Sequence, residues 1–193
     1  MRKELIEKIA LPEGVSATFH ADELTLHKGS AKIVRKIASP RLHVAIHNNE
    51  IVMTVAQGAK REFNTLKSYI AHIQNLFAGL NNEFVYHLEA CNVHFPMTFK
   101  VDKDHLVINN FLGEKTPRKA KILANVVVET KYPKITVTSR DKEAVGQTSA
   151  NIEKATKIRN RDRRIFQDGI FLVSKEVAKW FQRKSQHSFV LIL

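Results

Sequence analysis

The sequence of 193 residues holds one cysteine, one tryptophan, five prolines and seven glycines, and these shortages close off several classes of protein. A lone Cys91 cannot form an internal disulfide, so a cystine-stapled secreted scaffold is excluded, as is a zinc knuckle built on paired cysteines. None of the glycines belongs to a loop that closes on Lys-Ser or Lys-Thr, which removes the phosphate cradle of nucleotide hydrolases. No apolar run reaches the length of a membrane span, and Glu4 and Glu7 interrupt the first ten residues, so neither a span nor a secretory signal is predicted. Acidic residues are also in short supply. Against 31 Lys plus Arg stand 19 Asp plus Glu, a formal net charge of +12, and such an excess favours polyanionic partners: RNA, DNA or acidic membrane surfaces. What is there in ordinary measure is apolar material, 44% of the residues, enough for a folded core.

The charge is not spread evenly. Divided near residue 88, the chain carries 11 basic and 8 acidic residues in its first part and 20 basic and 11 acidic in its second. Apolar alternation predicts hairpins over Val15–His20 with Glu23–Lys28, and over Leu42–His47 with the strand beginning at Ile51, where Asn48 and Asn49 suit a turn that needs positive φ. From Phe63 the period lengthens. Phe63, Leu66, Ile70, Ile73, Phe77 and Leu80 line one face of a helix ending near Gly79.

The second part repeats this plan. Met97–Val101 with His105–Asn109, and Val126–Glu129 with Ile135–Ser139, read as hairpins, and a helix is expected from Ser149 onward. Leu24 and Leu26 match Leu106 and Ile108, Gly29 matches Gly113, Arg35 and Lys36 match Arg118 and Lys119, and Ile51–Thr54 matches Ile135–Thr138, all at offsets of 82 to 84 residues. Gly79 is placed near Gly169. The expectation is an α+β fold, a tandem duplication of a small antiparallel-sheet unit with one packed helix each: 1–88 a first repeat, 89–173 a second, and 174–193 a C-terminal tail. The copies differ in charge. Residues 154–164 hold six basic side chains and one acid, and in a continuing helix Lys154, Lys157 and Arg161 would share a face able to meet successive phosphates.

Other chemistry finds little support. His43 and His47 are four apart in a strand pattern, which separates them by about 13 Å, and no glutamate lies between them. Asp102 and Asp104 flank a hairpin turn and lack the Gly and Glu of a calcium loop. Cys91 stands three residues from His94, a spacing open to a nucleophile and its base, but the apolar stretch Ala90–Phe95 reads as buried. No metal site, cofactor, small-molecule substrate or catalytic residue is predicted.

Longer motifs carry a resemblance. His94-Phe95-Pro96, Asn110 to Lys115 and Arg118 to Lys121 come first, then Ile135 to Thr138 and Val145-Gly146-Gln147 with Ala150 and Ile152, and last the basic stretch ending in Phe166, Asp168, Gly169 and Ile170. Together they resemble the archaeal and eukaryotic form of a large-subunit ribosomal protein family, called L-six universally and L-nine in eukaryotes. Pro12, Gly14, Leu24 to Gly29 and Arg35 fit its first repeat more loosely, so the likeness covers most of residues 9–176. The loop Asn48–Ala59 departs from the pattern, being shorter than the Lys-rich, Trp-containing stretch of eukaryotic relatives.

The resemblance implies a duplicated α+β fold and a place in the cytosolic large ribosomal subunit, with neighbouring large-subunit proteins and large-subunit rRNA near the sarcin–ricin loop and factor-binding region as partners. It also implies a non-enzymatic, structural part in translation. Carried over by position, RNA contacts are expected at Lys115, Arg118, Lys119, Lys121, Arg140, Lys142, Gln147, Ser149, Lys154, Lys157, Arg159 and Arg161. Gln147 and Ser149 would act near a helix N-terminus, where free amides favour anions, and Gly113 and Gly146 would allow close backbone turns. The alternative is an RNA-binding regulator outside the ribosome using the same basic face. The tail ends in Phe189-Val190-Leu191-Ile192-Leu193, too short to anchor in a membrane and expected to dock on the protein's own surface or on a neighbour.

Overall fold

The structure, a computed structural model, describes residues 3–47 and 49–176. The docking expected of the Phe189–Leu193 end lies outside the described residues.

The first copy runs β1 (Lys3–Ala10), β2 (Ser16–His20), β3 (Glu23–Lys28), β4 (Ala31–Lys36), β5 (His43–His47), β6 (Glu50–Gly58) and α1 (Lys60–Asn81). The second follows with β7 (Phe84–Cys91), β8 (Thr98–Asp102), β9 (His105–Asn109), β10 (Arg118–Lys121), β11 (Val127–Lys131), β12 (Lys134–Ser139) and α2 (Lys142–Ala155), then adds β13 (Gly169–Glu176). The sheets show the duplication directly. Antiparallel orders β1-β6-β5 and β2-β3-β4 in the first copy recur as β7-β12-β11 and β8-β9-β10 in the second. The α+β duplication inferred from the sequence is therefore the observed fold.

Two hydrophobic cores result. One gathers Leu24, Leu26, Ile51 and Met53 from the two first-copy sheets onto Leu66, Ile73, Leu76 and Leu80 of α1. The other gathers Phe84, Tyr86, Leu88, Leu106, Ile108, Ile135 and Val137 onto Val145 and Ile152 of α2. The alternation predicted for β3 and β9 is matched by burial, since Leu24, Leu26, Leu106 and Ile108 all face inward and are fully enclosed. The shared period-two pattern puts one apolar row of each strand against its helix.

Several expectations need correction. Residue 88 is the middle of β7, whose Leu88 pairs with Ile135 on one side and Leu172 on the other. The charge comparison is unaffected, because residues 84–88 carry no Lys, Arg, Asp or Glu. Ser174–Glu176 belong to β13 rather than to a tail. Ladder register matches Leu24 with Arg35 and Leu106 with Ala120, so Arg35 corresponds to Ala120 and Arg118 to Ile33. The two-residue slip arises because Gly29 and Ser30 join β3 to β4, whereas Asn110–Pro117 join β9 to β10. Gly79 lies inside α1 while Gly169 opens β13, so they are not counterparts.

The copies meet along α1. A Cβ on Gly79 would stand 2.0 Å from the Arg140 carbonyl oxygen, so only glycine lets this helix approach the β12–α2 junction. Around that contact Glu143 accepts from both Arg35 and His72, Lys142 donates to Asn75, and Arg140 pairs with Glu83.

Candidate nucleic-acid interface

The basic stretch is a loop, not a helix face. Asp141 caps the start of α2, its carboxylate accepting from the Glu143 amide at 2.9 Å. The helix ends at Ala155, and Thr156 donates its own amide back to Glu153 and Lys154. Beyond it the chain turns irregularly to Asp168, with Asn160 at a φ of 58°. Lys154 is thus the only one of the three expected face-sharing cations within α2. Lys157 and Arg161 belong to the loop, so the predicted common helix face does not exist.

Buried polar anchors hold both ends of this loop. The Thr156 hydroxyl donates to the Glu153 carbonyl at 3.2 Å and accepts from the Ile170 amide at 3.0 Å. Asp168, almost wholly enclosed, accepts from the Val93 amide at 3.1 Å, and Glu153 accepts from the Leu172 amide at 2.8 Å. Each bond satisfies a polar group at low exposure, where a missing partner would be costly.

A third hold comes from Arg118. Its Nε and Nη2 meet the Glu114 carboxylate at 2.8 and 2.6 Å, a bidentate pair. Its Nη1 donates to the carbonyls of Ala155 and Lys157 at 2.9 and 3.1 Å. The guanidinium also lies 4.2 Å from the Phe111 ring centroid. Arg118 thus satisfies carbonyls that the end of α2 leaves open. The Arg118 hydrogen bond, with the charges of Arg118 and Arg161, holds the Glu114 carboxyl below its ordinary range. Glu114 sits on a tight turn in which Asn110, Leu112 and Gly113 take φ values of 58°, 51° and 76°. Phe95 would lie 3.3 Å from a Cβ at Gly113, so the glycine answers both conformation and space.

The predicted contact residues separate by environment. Lys115, Lys119, Lys121, Lys154, Lys157, Arg159 and Arg161 are exposed, and among the described residues none of them forms an ion pair. Arg161 lies over the Phe166 ring at 4.8 Å. Gln147 is exposed and donates to Asn151, which donates on to the Lys121 carbonyl. Arg118 is committed to the protein as described, and Arg140 and Lys142 face the first copy. Ser149 is enclosed, with no hydrogen-bond partner for its hydroxyl, so in this conformation it does not reach an outside phosphate. Neither Gln147 nor Ser149 is at the helix N-terminus, which Asp141 already occupies. Gly146 is within α2 rather than in a turn.

Arg163, Thr156, Asp168 and Phe171 also belong to this surface, although the sequence points to Arg163 only as one of a basic run, to Asp168 only as part of the family motif, and to Thr156 and Phe171 by no motif at all. A hydroxyl and a carboxylate flanking a run of cations are the signal for the two anchors. Cys91 and His94, read as part of a buried stretch, are exposed together with Val93 and Phe95. Cys91 and Val93 help to line a cavity of about 730 Å³ beneath the loop, lined also by Ile158, Phe166 and Phe171. No helix among the described residues is long and apolar enough to cross a membrane.

Fold and surface define a class: α+β tandem duplications whose second copy presents an anchored loop in which Lys157, Arg159, Arg161 and Arg163 form no ion pair among the described residues. The pattern of "Ribosomal protein L6" matches residues 95–169. Over 170 residues the chain is 42% identical to "Large ribosomal subunit protein uL6" of Methanobrevibacter smithii, covering 88% of this chain and 96% of that protein. Proteins of the same name from Methanosarcina mazei and Methanococcus vannielii are 39% identical over 91% of this chain and 38% identical over 88%, covering 99% and 93% of their own lengths. The chain belongs to the ribosomal protein L6 family.

Proposed function

We propose that this chain is a structural component of the large ribosomal subunit that binds large-subunit rRNA through the anchored loop 156–168 and the neighbouring lysines of the second copy. The carrying observation is the clustering of unpaired cations. Among the described residues Lys8, Lys32, Lys36, Lys60 and Arg61 of the first copy also stand exposed without a carboxylate partner, but they are spread over separate elements, whereas Lys154, Lys157, Arg159, Arg161 and Arg163 stand so within one anchored stretch of the second copy. Unpaired cations held at a fixed spacing suit a phosphate backbone, because no internal ion pair has to be broken for each counterion released. Recognition by shape and backbone follows from a surface of Lys and Arg with few amide side chains. Membership of the family supports placing the contact near the sarcin–ricin loop and the factor-binding region.

Sucrose-gradient sedimentation of cell extract tests the ribosomal part: the chain should migrate with large subunits and survive a moderate salt wash. A chain left at the top of the gradient would overturn it. The location is tested by tethering an iron chelate to Cys91, the one cysteine and an exposed one. Hydroxyl-radical cleavage of the rRNA should cluster about the sarcin–ricin loop; cleavage confined elsewhere would refute that placement.

A further inference from the structure

Beneath the basic loop lies the cavity of about 730 Å³ bounded by the ends of β7, α2 and β13. Its volume falls in the range of small-molecule sites, and its walls divide by chemistry. Phe166 and Phe171 supply aromatic surface, and Lys154, Lys157 and Arg163 stand at the rim. Phe171 is 43% exposed, and its ring lies where a Cβ on Gly169 would come within 2.9 Å of it. One face of Phe166 is covered by Arg161. Two carboxylates also line the cavity, but Glu153 and Asp168 each accept a backbone amide and help to hold the loop ends. The three rim cations form no ion pair among the described residues.

Aromatic rings beside exposed, unpaired cations fit a ligand that joins a flat π-system to a phosphate. Bases stack on aromatic rings for about 1–3 kcal/mol each without regard to sequence, and RNA offers such bases where they are unstacked in loops and bulges. Residues 177–193 suit the rim poorly, since they carry Lys179, Arg183 and Lys184 and no Asp or Glu. We infer that this cavity binds one unpaired nucleotide of RNA, its base against Phe166 and Phe171 and its phosphate on Lys154, Lys157 and Arg163. The inference rests on the rRNA-binding reading and adds to it a discrete base site beside the backbone contacts.

The test is an NMR titration of the full chain with AMP, GMP, CMP and UMP, with inorganic phosphate as the comparison and rRNA binding measured in parallel. The mononucleotides should shift the amide signals of Phe166 and Phe171 saturably, and phosphate alone should not. Phe171→Leu, which removes a stacking ring from an exposed position without changing charge, should weaken nucleotide binding about tenfold. Equal shifts from phosphate and nucleotides, or an unaltered nucleotide affinity in Phe171→Leu, would overturn the inference. So would cross-relaxation between Phe171 and the side chains of Phe189–Leu193 that nucleotide does not displace. If rRNA binds while mononucleotides leave both phenylalanines unmoved, the cavity assignment alone fails; if rRNA does not bind, the reading beneath it fails.

Discussion

Arg118 and Glu114 show how a single side chain serves several elements. The hydrogen bond from Arg118 lowers the Glu114 pKa against a smaller opposing effect of burial, with the charges of Arg118 and Arg161 adding to the lowering. With the folded-state pKa below the unfolded one, this contribution to stability is present above the unfolded value of about 4.3 and is lost as pH falls through the folded value. In Arg118→Ala the Glu114 titration should move back up toward the ordinary carboxylate range. Carbon-detected NMR of the carboxyl group measures it, and an unmoved midpoint would show that Arg118 does not set it. Gly79 makes the second case at this scale. The oxygen 2.0 Å from an added Cβ belongs to the backbone and cannot swing aside, so Gly79→Ala should cost about 1–3 kcal/mol by overpacking. For a chain of this size that lowers the melting temperature by about 2–4 °C per kcal/mol. A melt identical to the parent's would show that the helix can shift without penalty.

Elements differ in how far their chemistry shows in the sequence, and the basic loop is the instructive one. Its cations are legible as composition, but their geometry depends on where α2 stops. The buried face of that helix is Ala144, Val145, Thr148, Ser149 and Ile152, small and hydroxyl-bearing residues that leave a faint apolar stripe; only the Asp141 cap marks its start, so the helix begins at Lys142, seven residues before the expected Ser149, and its end is unmarked. Hairpins with clean alternation, such as β2–β3 and β5–β6, are legible, as is the Leu66, Ile73 and Leu80 stripe of α1. Strand β1 is masked because Ile6 points outward while Glu7 lies on the inner side, where it meets Lys67. Val173 obscures β13, falling at a register shift between Leu172 and Ser174. Phe84, Tyr86, Leu88 and Ala90 of β7 alternate plainly, yet they follow the helical stripe with no Gly or Pro at the boundary. If the loop is the RNA-binding element, neutralising Lys154, Lys157, Arg159 and Arg161 together should abolish incorporation into large subunits while the melting curve stays within a degree or so of the parent's, as for other exposed sites. About six neutralised phosphates would give the parent a log–log salt slope near −4 to −5, made shallower by about 1 for each cation removed from the interface. Wild-type incorporation of the quadruple variant would exclude the loop from RNA binding.

At the scale of the whole molecule, duplication has produced two copies with the same sheet orders and separate apolar cores, of which the second carries about twice the net charge of the first. The second copy also gains β13, which lines β7 along the edge opposite β12 and feeds the far anchor of the basic loop through Ile170 and Leu172. The division of labour this suggests can be tested from the interior. Ile73 and Ile152 are both fully buried, one under each helix, and truncation of either to alanine should cost about 2–5 kcal/mol through reduced burial and the cavity left behind. Their effects on RNA binding should differ. Ile152 lies four residues before the Thr156 anchor, on the helix whose last carbonyls Arg118 holds, so loosening its packing loosens the loop. Measured by filter binding to large-subunit rRNA at a temperature where both variants remain folded, Ile152→Ala should weaken binding severalfold, while Ile73→Ala should stay within about twofold of the parent, an energy difference of roughly 0.4 kcal/mol. If Ile73→Ala weakened binding as much as Ile152→Ala, the affinity would belong to the pair of copies acting together. In that case the polar contacts of Glu143 with Arg35 and His72 would be the first place to look for the coupling.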